Sequence, residues 1–188
     1  QPASGDAGGS IGSALYYYNI ESGLSMKSND IMKGSYLGPS YNNNDVISEL
    51  KKLKGVYKVI EDEKISKSIA REIASGNVIG WFQGRMEFGP RALGNRSILG
   101  DPSNEEMQKT LNLKIKYRES FRPFAPSVLK ESSKDIFNLN IESPFMLLVS
   151  DVKGRIEMST KDKELFGIDK LKIKRSKIPA VTHVDYSA

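Results

Sequence analysis

Cysteine is absent from this 188-residue sequence, and histidine occurs once, at position 183. Without cysteine, the chain can form no disulfide, no thiolate nucleophile and no cysteine-based zinc site. A single histidine argues against a histidine-rich metal cluster or a Ser/His/Asp triad within this chain. Any acid–base chemistry would therefore rely on Lys, Asp, Glu or Tyr.

Long hydrophobic runs are also missing, since no apolar stretch approaches the roughly 20 residues that a membrane-spanning helix needs. Residues 1–19 lack the basic start and apolar core of a secretory signal. With 38% hydrophobic and 27% charged residues, the composition is typical of a soluble globular protein, and we expect a cytoplasmic location without a membrane partner. Gln1 in place of Met predicts a piece of a longer chain.

The charge is modest in sum and uneven in distribution. Lys and Arg exceed Asp and Glu by 28 − 23 = +5, which suits an anionic ligand and does not require nucleic acid. The excess lies in two clusters, one with Arg85, Arg91 and Arg96 against Glu87, and one with Lys114, Lys116, Arg118 and Arg122 against Glu119. Arginine can grip phosphate or carboxylate through two parallel bonds.

The order of predicted elements favours an α/β domain. Small residues at 4–9 lead into a predicted helix at about 11–15, and the polar stretch 21–44 predicts a linker or an exposed arm. Helices are predicted at 45–53, from Asp62 to Gly76, and at 103–111, with Asp45, Asp62 and the Ser103–Glu106 pair as caps. Strands are predicted at 56–60, 78–82, 124–129, 145–150 and 178–184. Such alternation indicates a mixed, twisted sheet with flanking helices.

Two features complete this pattern. Ile65, Ile69 and Ile73 would share one face of the second helix. Residues 153–177 are charged with little alternation and predict a mobile insertion before the last strand, which the end of the chain at Ala188 would truncate.

The first motif follows the apolar strand at 78–82 and runs Gly84-Arg-Met-Glu-Phe-Gly-Pro-Arg-Ala-Leu-Gly-Asn-Arg-Ser97. Glycines allow the backbone to turn sharply and let its amides approach a ligand. Ligands of open α/β sheets bind beyond the carboxyl ends of the strands, where three arginines could surround a polyphosphate. The pattern is neither the Gly-Lys-Ser/Thr phosphate loop nor the dinucleotide fingerprint, and a solvated turn with scattered arginines remains the alternative.

The second motif, Lys114 to Ser127, alternates cations with apolar and aromatic residues. On an extended segment, Lys114, Lys116 and Arg118 would share one face, where three cations repel one another unless an anion joins them. The alternative is a basic solvent-exposed face. No known nucleic-acid-binding module matches the pattern.

These two motifs carry a family resemblance. GRMEFGPRALGNRSIL at 84–99 and IKYRESFRPFAPSVL at 115–129 closely resemble two blocks in the C-terminal domain of the O-carbamoyltransferases that act on nodulation factors, cephems and aminoglycosides. The ending IPAVTHVDYSA and the start PASGDAGGSIG are similar to that family as well. The resemblance is weakest over 21–44 and 153–177.

The resemblance implies a division of the chain into three parts. Residues 1–20 would be the end of an N-terminal carbamoyl-transfer domain of actin-like ATPase fold, 21–44 a linker, and 45–188 a YrdC-like domain truncated at its C-terminus. That domain would take ATP, with Mg²⁺, and carbamoyl phosphate, and would form carbamoyl-adenylate. The carbamoyl group would then pass to a hydroxyl of a small-molecule acceptor. A homodimer is left open.

The resemblance also implies a set of site residues. Arg85, Arg91, Lys116 and Arg118 are the expected catalytic residues, the last two because they match a Lys-x-Arg pair of YrdC-like domains. The expected cofactor-binding residues are Asn95, Arg96, Ser97, Arg122, Ser127 and His183. In the full-length family, iron(II) is held by two His and one Asp. Asp6 matches that Asp, and both His ligands are missing from this chain.

Some residues keep two interpretations. His183 is either a hydrogen-bonded histidine of a buried strand or a contact to adenine or carbamoyl. Glu87 and Glu119 are expected to orient the arginines through salt bridges, because an unpaired carboxylate would repel bound phosphate. Trp81 is expected in the core. Rival functions are an RNA-binding module, favoured by the pI of about 9.2, and a nucleotide-binding regulatory domain without catalysis.

Overall fold

The computed structural model describes residues 3–23 and 32–188, and the chain divides into two compact units. The first unit consists of Gln1–Ile65, Gly80–Ile98 and Pro144–Leu147. The second unit consists of Ser66–Ile79, Leu99–Ser143 and Leu148–Ala188.

The described residues form α-helices, one two-stranded sheet and several tighter turns of helix, which confirms the α/β class. The α-helices are α1 (Asp6–Ser22), α2 (Asn43–Lys52), α3 (Asp62–Ala74), α4 (Met107–Thr110), α5 (Ser133–Ile136) and α6 (Thr160–Lys163). Strands β1 (Ile79–Phe82) and β2 (Arg96–Leu99) pair with each other. Short 3₁₀ segments span Lys33–Ser35, Lys130–Ser132, Gly167–Lys172 and Pro179–Val181, and a π-helical turn spans Leu111–Ile115.

Helices α2 and α3 begin close to where the sequence predicts them, whereas α1 begins at Asp6, within the predicted loop. In α3, Ile65, Ile69 and Ile73 are all half-buried on one face, as predicted, and Gly76 follows the helix with φ 86°. The cap of α2 lies at Asn42 and not at Asp45. The Asn42 side chain accepts bonds from the N–H groups of residues 44 and 45, and Asp45 accepts one from the Asn42 N–H in return. This is a reciprocal capping box, and the prediction misplaced it by one helical turn.

The capping box predicted at Ser103 does not form. The Ser103 hydroxyl donates to Asp101 Oδ1 at 2.7 Å, and α4 begins only at Met107 without a side-chain cap. After Thr110 the chain widens into the π-helical turn Leu111–Ile115. The helix predicted through Leu111 is therefore shorter and changes its hydrogen-bond pattern at the edge of the second motif.

Most of the predicted strands are wrong, and β1 is the exception. Residues 56–60, 124–129 and 145–150 run outside strands, and 178–184 contains a 3₁₀ turn. Val56 and Val59 are 102% and 76% exposed. An alternating apolar pattern favours a strand only where the segment can pair with a neighbouring strand and pack one face against a core. Among the described residues, the terminal region is held instead by the isolated bridges Phe137–Val152 and Asp151–Ser187.

The core of the second unit forms around α4. Met107, Leu111 and Ala180 are buried together, and Val78 and Phe124 pack against them. The segment predicted as a mobile insertion contains α6 and a 3₁₀ helix, and it ends in the buried pair Arg175 and Ser176. Its mobility stays a prediction. Within the described ranges, no helix is long and apolar enough to cross a membrane.

Candidate functional site

The first motif forms the loop between β1 and β2, and its ends are tied together. The Gln83 N–H donates to the Asn95 carbonyl at 3.0 Å, and the Gln83 side chain donates to the Gly94 carbonyl at 3.1 Å. Gly84, Gly89 and Gly94 have φ of 55°, 105° and 113°, which side chains rarely adopt. The prediction that glycines let this backbone turn sharply is confirmed, although the preceding strand is only half-buried.

Glu87 organises the inside of this loop. The residue is 4% exposed, and its Oε1 accepts bonds from the backbone N–H groups of Leu93, Asn95 and Arg96 at 2.7, 2.7 and 3.3 Å. Burial opposes its ionisation, but the backbone hydrogen bonds outweigh burial and lower the pKa of Glu87 below its ordinary 4.5. The predicted salt bridge to an arginine is wrong, because this carboxylate is directed to the backbone.

Residues 35–39 brace the loop from a second side. The Gly38 N–H donates to the Met86 carbonyl at 2.9 Å, and the Phe88 N–H donates to the Ser35 carbonyl at 2.7 Å. A Cβ on Gly38 would lie 2.9 Å from Met86 Cβ, so this approach needs glycine. Arg85 adds a bond from Nη1 to the Gly38 carbonyl at 3.1 Å. Arg85 is thus partly engaged in holding the loop.

The other two arginines of the motif, Arg91 in the loop and Arg96 at the start of β2, lack carboxylate partners in the described part of the chain. Within residues 3–23 and 32–188, neither the Arg91 nor the Arg96 guanidinium makes an ion pair or a hydrogen bond. Arg91 is exposed and lines a cavity of about 130 Å³. The other lining residues are Ala3, Ser4, Phe88, Pro90, Leu93, Phe145, Met146 and Leu147. An arginine beside apolar walls can bind a small anion more strongly than one in open water.

Asn95 and Ser97 make hydrogen bonds inside the loop. The Asn95 side chain donates to the Arg85 carbonyl at 2.8 Å. The Ser97 hydroxyl accepts from the Gly94 N–H at 3.2 Å. Both side chains therefore help to shape the loop that carries the arginines.

The second motif is folded around Asn112 in the second unit. Asn112 is fully buried, and its side chain donates to the carbonyls of Ser120 and Arg122 at 3.1 and 2.9 Å. Its Oδ1 accepts from Arg118 Nε at 2.7 Å, and its carbonyl accepts from the Arg118 N–H at 2.9 Å. The extended segment on which Lys114, Lys116 and Arg118 would share one face does not form, because residues 111–115 are π-helical.

The cations of this segment differ in their partners. The Arg118 guanidinium lies 4.8 Å from the centroid of the Phe124 ring, and Arg122 Nε pairs with Glu119 at 3.0 Å. The predicted pairing of Glu119 with an arginine is thus confirmed, and its own backbone N–H together with Arg122 lowers the pKa of Glu119. Lys116 is exposed, and its ammonium has no partner within the described part of the chain. Ser127 is exposed.

A larger cavity of about 350 Å³ lies in the second unit and is lined by His183 and Arg175. His183 Nδ1 is 3.2 Å from Ser187 Oγ, so the interpretation as a hydrogen-bonded histidine holds, though in a loop and not in a strand. Burial lowers the pKa of His183 below 6.5, partly offset by Asp185. Burial therefore favours the neutral form of the imidazole.

Sequence reasoning missed Arg175 at this cavity. The residue is 3% exposed, and its guanidinium donates to the carbonyls of Lys170 and Thr182. No carboxylate pairs with it within residues 3–23 and 32–188. Arg175 lies in a run of lysines and arginines, and nothing in the sequence distinguishes a buried cation from its solvated neighbours.

The residues present do not fit the iron site that the resemblance implies. Asp6 is exposed in the first turn of α1. No group of three His, Asp or Glu in metal-binding arrangement occurs among the described residues, and His183 is the only histidine in the sequence. A site of two His and one Asp therefore cannot form within this chain.

The predicted site residues fall into two groups. Those in the first unit are Asp6, Arg85, Arg91, Asn95, Arg96 and Ser97, and those in the second unit are Lys116, Arg118, Arg122, Ser127 and His183. Arg85, Arg91, Asn95, Arg96 and Ser97 share the segment 83–97, and Lys116, Arg118 and Arg122 share the turn 112–122. Asp6, Ser127 and His183 lie outside these two segments.

Comparison with known proteins adds the family. The Carbamoyltransferase C-terminus family matches residues 70–188. The whole chain is 53% identical to part of an uncharacterised protein of Synechocystis and covers 32% of it. It is 39% identical to the nodulation protein NolNO of Sinorhizobium fredii, again over the whole chain and 25% of the relative.

A third relative has a named reaction. The 3'-hydroxymethylcephem-O-carbamoyltransferase of Streptomyces clavuligerus is 36% identical over 64% of this chain and 19% of the relative. The chain thus spans about a third or less of the length of these relatives. The family match covers both arginine-bearing motifs. The chain belongs to the carbamoyltransferase C-terminus family.

Proposed function

We propose that this chain forms carbamoyl-adenylate from carbamoyl phosphate and ATP, for transfer of the carbamoyl group to a hydroxyl of an acceptor. In this proposal, residues 45–188 act as a YrdC-like adenylating domain. Residues 21–44 are the linker, and residues 1–20 are the end of an actin-like transfer domain. The family membership and the two cationic segments support the proposal.

The proposed reaction has two steps. Carbamoyl phosphate first loses its phosphate to water, which gives carbamate and inorganic phosphate. A carbamate oxygen then bonds to the α-phosphorus of ATP, and the bond from that phosphorus to the bridging oxygen breaks and releases pyrophosphate. Every reactant and product except water is an anion, so the protein's task is to position anions and to stabilise their charge. That task needs cations and no cysteine or histidine nucleophile.

One observation carries the assignment: Glu87, the only carboxylate of the first motif, is directed to the backbone. If Glu87 paired with an arginine, it would cancel the charge that a phosphate needs. Because it folds the loop instead, Arg91 and Arg96 keep a full positive charge without a partner in the described chain. We assign these two guanidinium groups to ATP phosphates or carbamoyl phosphate, with Arg85 holding the loop and contributing its remaining donors.

The second motif supplies a fixed cation and a free one. Arg118 is held by Asn112 and by the Phe124 ring, which reduces the entropy that it would lose on binding a ligand. Lys116 is free to follow a phosphate as a point charge. Arg122 is partly neutralised by Glu119 and takes a lesser role. Mg²⁺ would be carried by the ATP phosphates, since no cluster of carboxylates gathers in the described residues.

In this proposal, the acceptor is a compound that carries a hydroxyl group. One relative is named for carbamoylation of a hydroxymethyl cephem, and others are named as nodulation proteins. We propose a secondary metabolite or an oligosaccharide as the class of acceptor.

The test is exchange of labelled pyrophosphate into ATP by the 188-residue chain. Exchange should require carbamoyl phosphate, because only carbamoyl-adenylate returns ATP when pyrophosphate attacks it. Arg91→Ala should lower the exchange rate at least about 100-fold, the scale of one lost charge-stabilising donor. Arg71→Ala is the matched control, since Arg71 is exposed on α3, and it should leave exchange unchanged.

Three outcomes would contradict the proposal. Exchange that proceeds without carbamoyl phosphate would mean that another acid is activated. An Arg91→Ala variant that exchanges at the wild-type rate would remove Arg91 from the site. A chain that binds RNA with a steep dependence on salt and ignores ATP and carbamoyl phosphate would favour the RNA-binding alternative.

A further inference from the structure

Tyr117 has a conformation and an exposure that the second motif alone does not explain. Its φ is +50°, a region that aromatic side chains rarely adopt. Its side chain is 86% exposed, so no packing of the ring compensates for the strained backbone. Strained residues of this kind cluster at ligand-binding segments, where the surrounding structure holds them in place.

The surrounding structure does hold Tyr117 in place. On one side, the Lys116 N–H donates to the Leu111 carbonyl at 2.9 Å and closes the π-helical turn. On the other side, the Arg118 N–H and Nε both bind the buried Asn112. The two neighbours are therefore anchored, and the backbone between them must bulge outward with the ring at its tip. Single π-turns of this type are frequent at functional sites.

Other exposed tyrosines lack these features. Tyr16, Tyr17 and Tyr18 are 71%, 66% and 59% exposed, but they lie within α1. Tyr41 and Tyr57 are exposed as well, but among the exposed tyrosines of the described chain only Tyr117 stands at positive φ and lies between two site cations. Exposure by itself is common on protein surfaces, whereas exposure combined with strain between two cations calls for a ligand with a flat face.

We infer that the Tyr117 ring is a stacking platform for the adenine of ATP, while Lys116 and Arg118 engage the phosphates. The inference rests on the proposed function, which supplies ATP as the ligand. A nucleotide has an anionic end and one flat aromatic end, and the segment 116–118 offers two cations and one exposed ring. Base–aromatic stacking is tolerant of base identity, so this contact would strengthen nucleotide binding and add little discrimination between ATP and GTP.

The experiment compares ATP with inorganic tripolyphosphate, which carries the same phosphates without a base. Tyr117→Leu keeps an apolar side chain and the backbone strain but removes the aromatic ring. By calorimetry, it should weaken ATP binding by about 5- to 100-fold, the range of one base–aromatic stack. It should leave tripolyphosphate binding unchanged. Tyr117→Phe should bind ATP like the wild type, and Tyr17→Leu on α1 is the matched control, also expected to be silent.

The outcomes separate the possible failures. Wild-type affinity for ATP in Tyr117→Leu would overturn the stacking role. Equal weakening of ATP and tripolyphosphate would also overturn it, because the ring would then only support the cations beside it. A wild-type chain that binds tripolyphosphate but gains nothing from the adenosine group would do the same. A wild-type chain that binds neither would contradict the proposed function itself.

Discussion

Replacing Glu87 by glutamine tests how the loop between β1 and β2 keeps its arginines free. Glutamine preserves the size of the side chain and an oxygen acceptor, but it removes the negative charge. Glu87 Oε1 makes two short bonds of 2.7 Å and a longer one of 3.3 Å. A hydrogen bond to a charged group contributes roughly 1 kcal/mol more than a neutral one, so the substitution should cost about 2 kcal/mol of unfolding free energy.

The assay is urea unfolding followed by the fluorescence of Trp81, the only tryptophan of the chain. Trp81 lies in β1, next to the loop and in the same unit as Glu87. With a urea dependence of about 2 kcal/mol per molar, a loss of about 2 kcal/mol moves the midpoint down by roughly 1 M. Glu61→Gln is the control, because it removes an exposed ion pair with Lys64; such pairs contribute roughly 0–1 kcal/mol.

The effect should also depend on pH with a defined sign. The folded-state pKa of Glu87 lies below 4.5, so its contribution to stability is present above pH 4.5 and is lost as the pH falls through the folded pKa. The difference between the wild type and Glu87→Gln should therefore shrink in acid. An unchanged midpoint at pH 7 would refute the reasoning. A difference that persists undiminished in acid would refute it as well, because it would arise from the bulk of the amide.

Two further predictions concern the second unit. His183 is the only histidine, so NMR of its imidazole follows one titration, whose midpoint should lie below 6.5 because burial disfavours the charged form. The stability of the fold should therefore fall as the pH drops below 6.5, and His183→Gln should make this dependence on pH less steep. A titration midpoint at or above 6.5 would contradict the burial of His183. Asn112→Ala removes three side-chain bonds around a fully buried residue, and it should cost about 2–4 kcal/mol of stability. It should also weaken ATP binding by about tenfold, and unchanged ATP affinity in a folded variant would show that Asn112 does not position Arg118.

The sharp turns of the first motif were predictable from its glycines, but the hydrogen bonds inside the loop were not. The glycines predict positive φ, and Gly84, Gly89 and Gly94 have it. The prediction for Glu87 was wrong because charge counting pairs carboxylates with the nearest arginines. In the folded loop, three N–H groups that face inward compete better for a buried carboxylate than exposed guanidinium groups do. Only the turn geometry reveals which donors face inward.

The strands show the opposite limit of sequence reasoning. Residues 56–60 and 124–129 have apolar patterns typical of strands, but a strand also needs an edge to pair with, and that edge belongs to distant parts of the chain. Ile79–Phe82 was predicted correctly because its partner, Arg96–Leu99, lies just across the loop. Asn112 and Arg175 were missed for a related reason, since only tertiary packing distinguishes a buried polar side chain from an exposed one.

The most direct test of the proposed reaction is to follow carbon-13 from labelled carbamoyl phosphate in the presence of ATP and this chain. Mass spectrometry should detect the label in a compound of AMP mass plus one carbamoyl group, formed together with pyrophosphate and lost when ATP is omitted. If the label stays in carbamoyl phosphate and its hydrolysis products while the chain binds ATP, adenylation by this chain is contradicted.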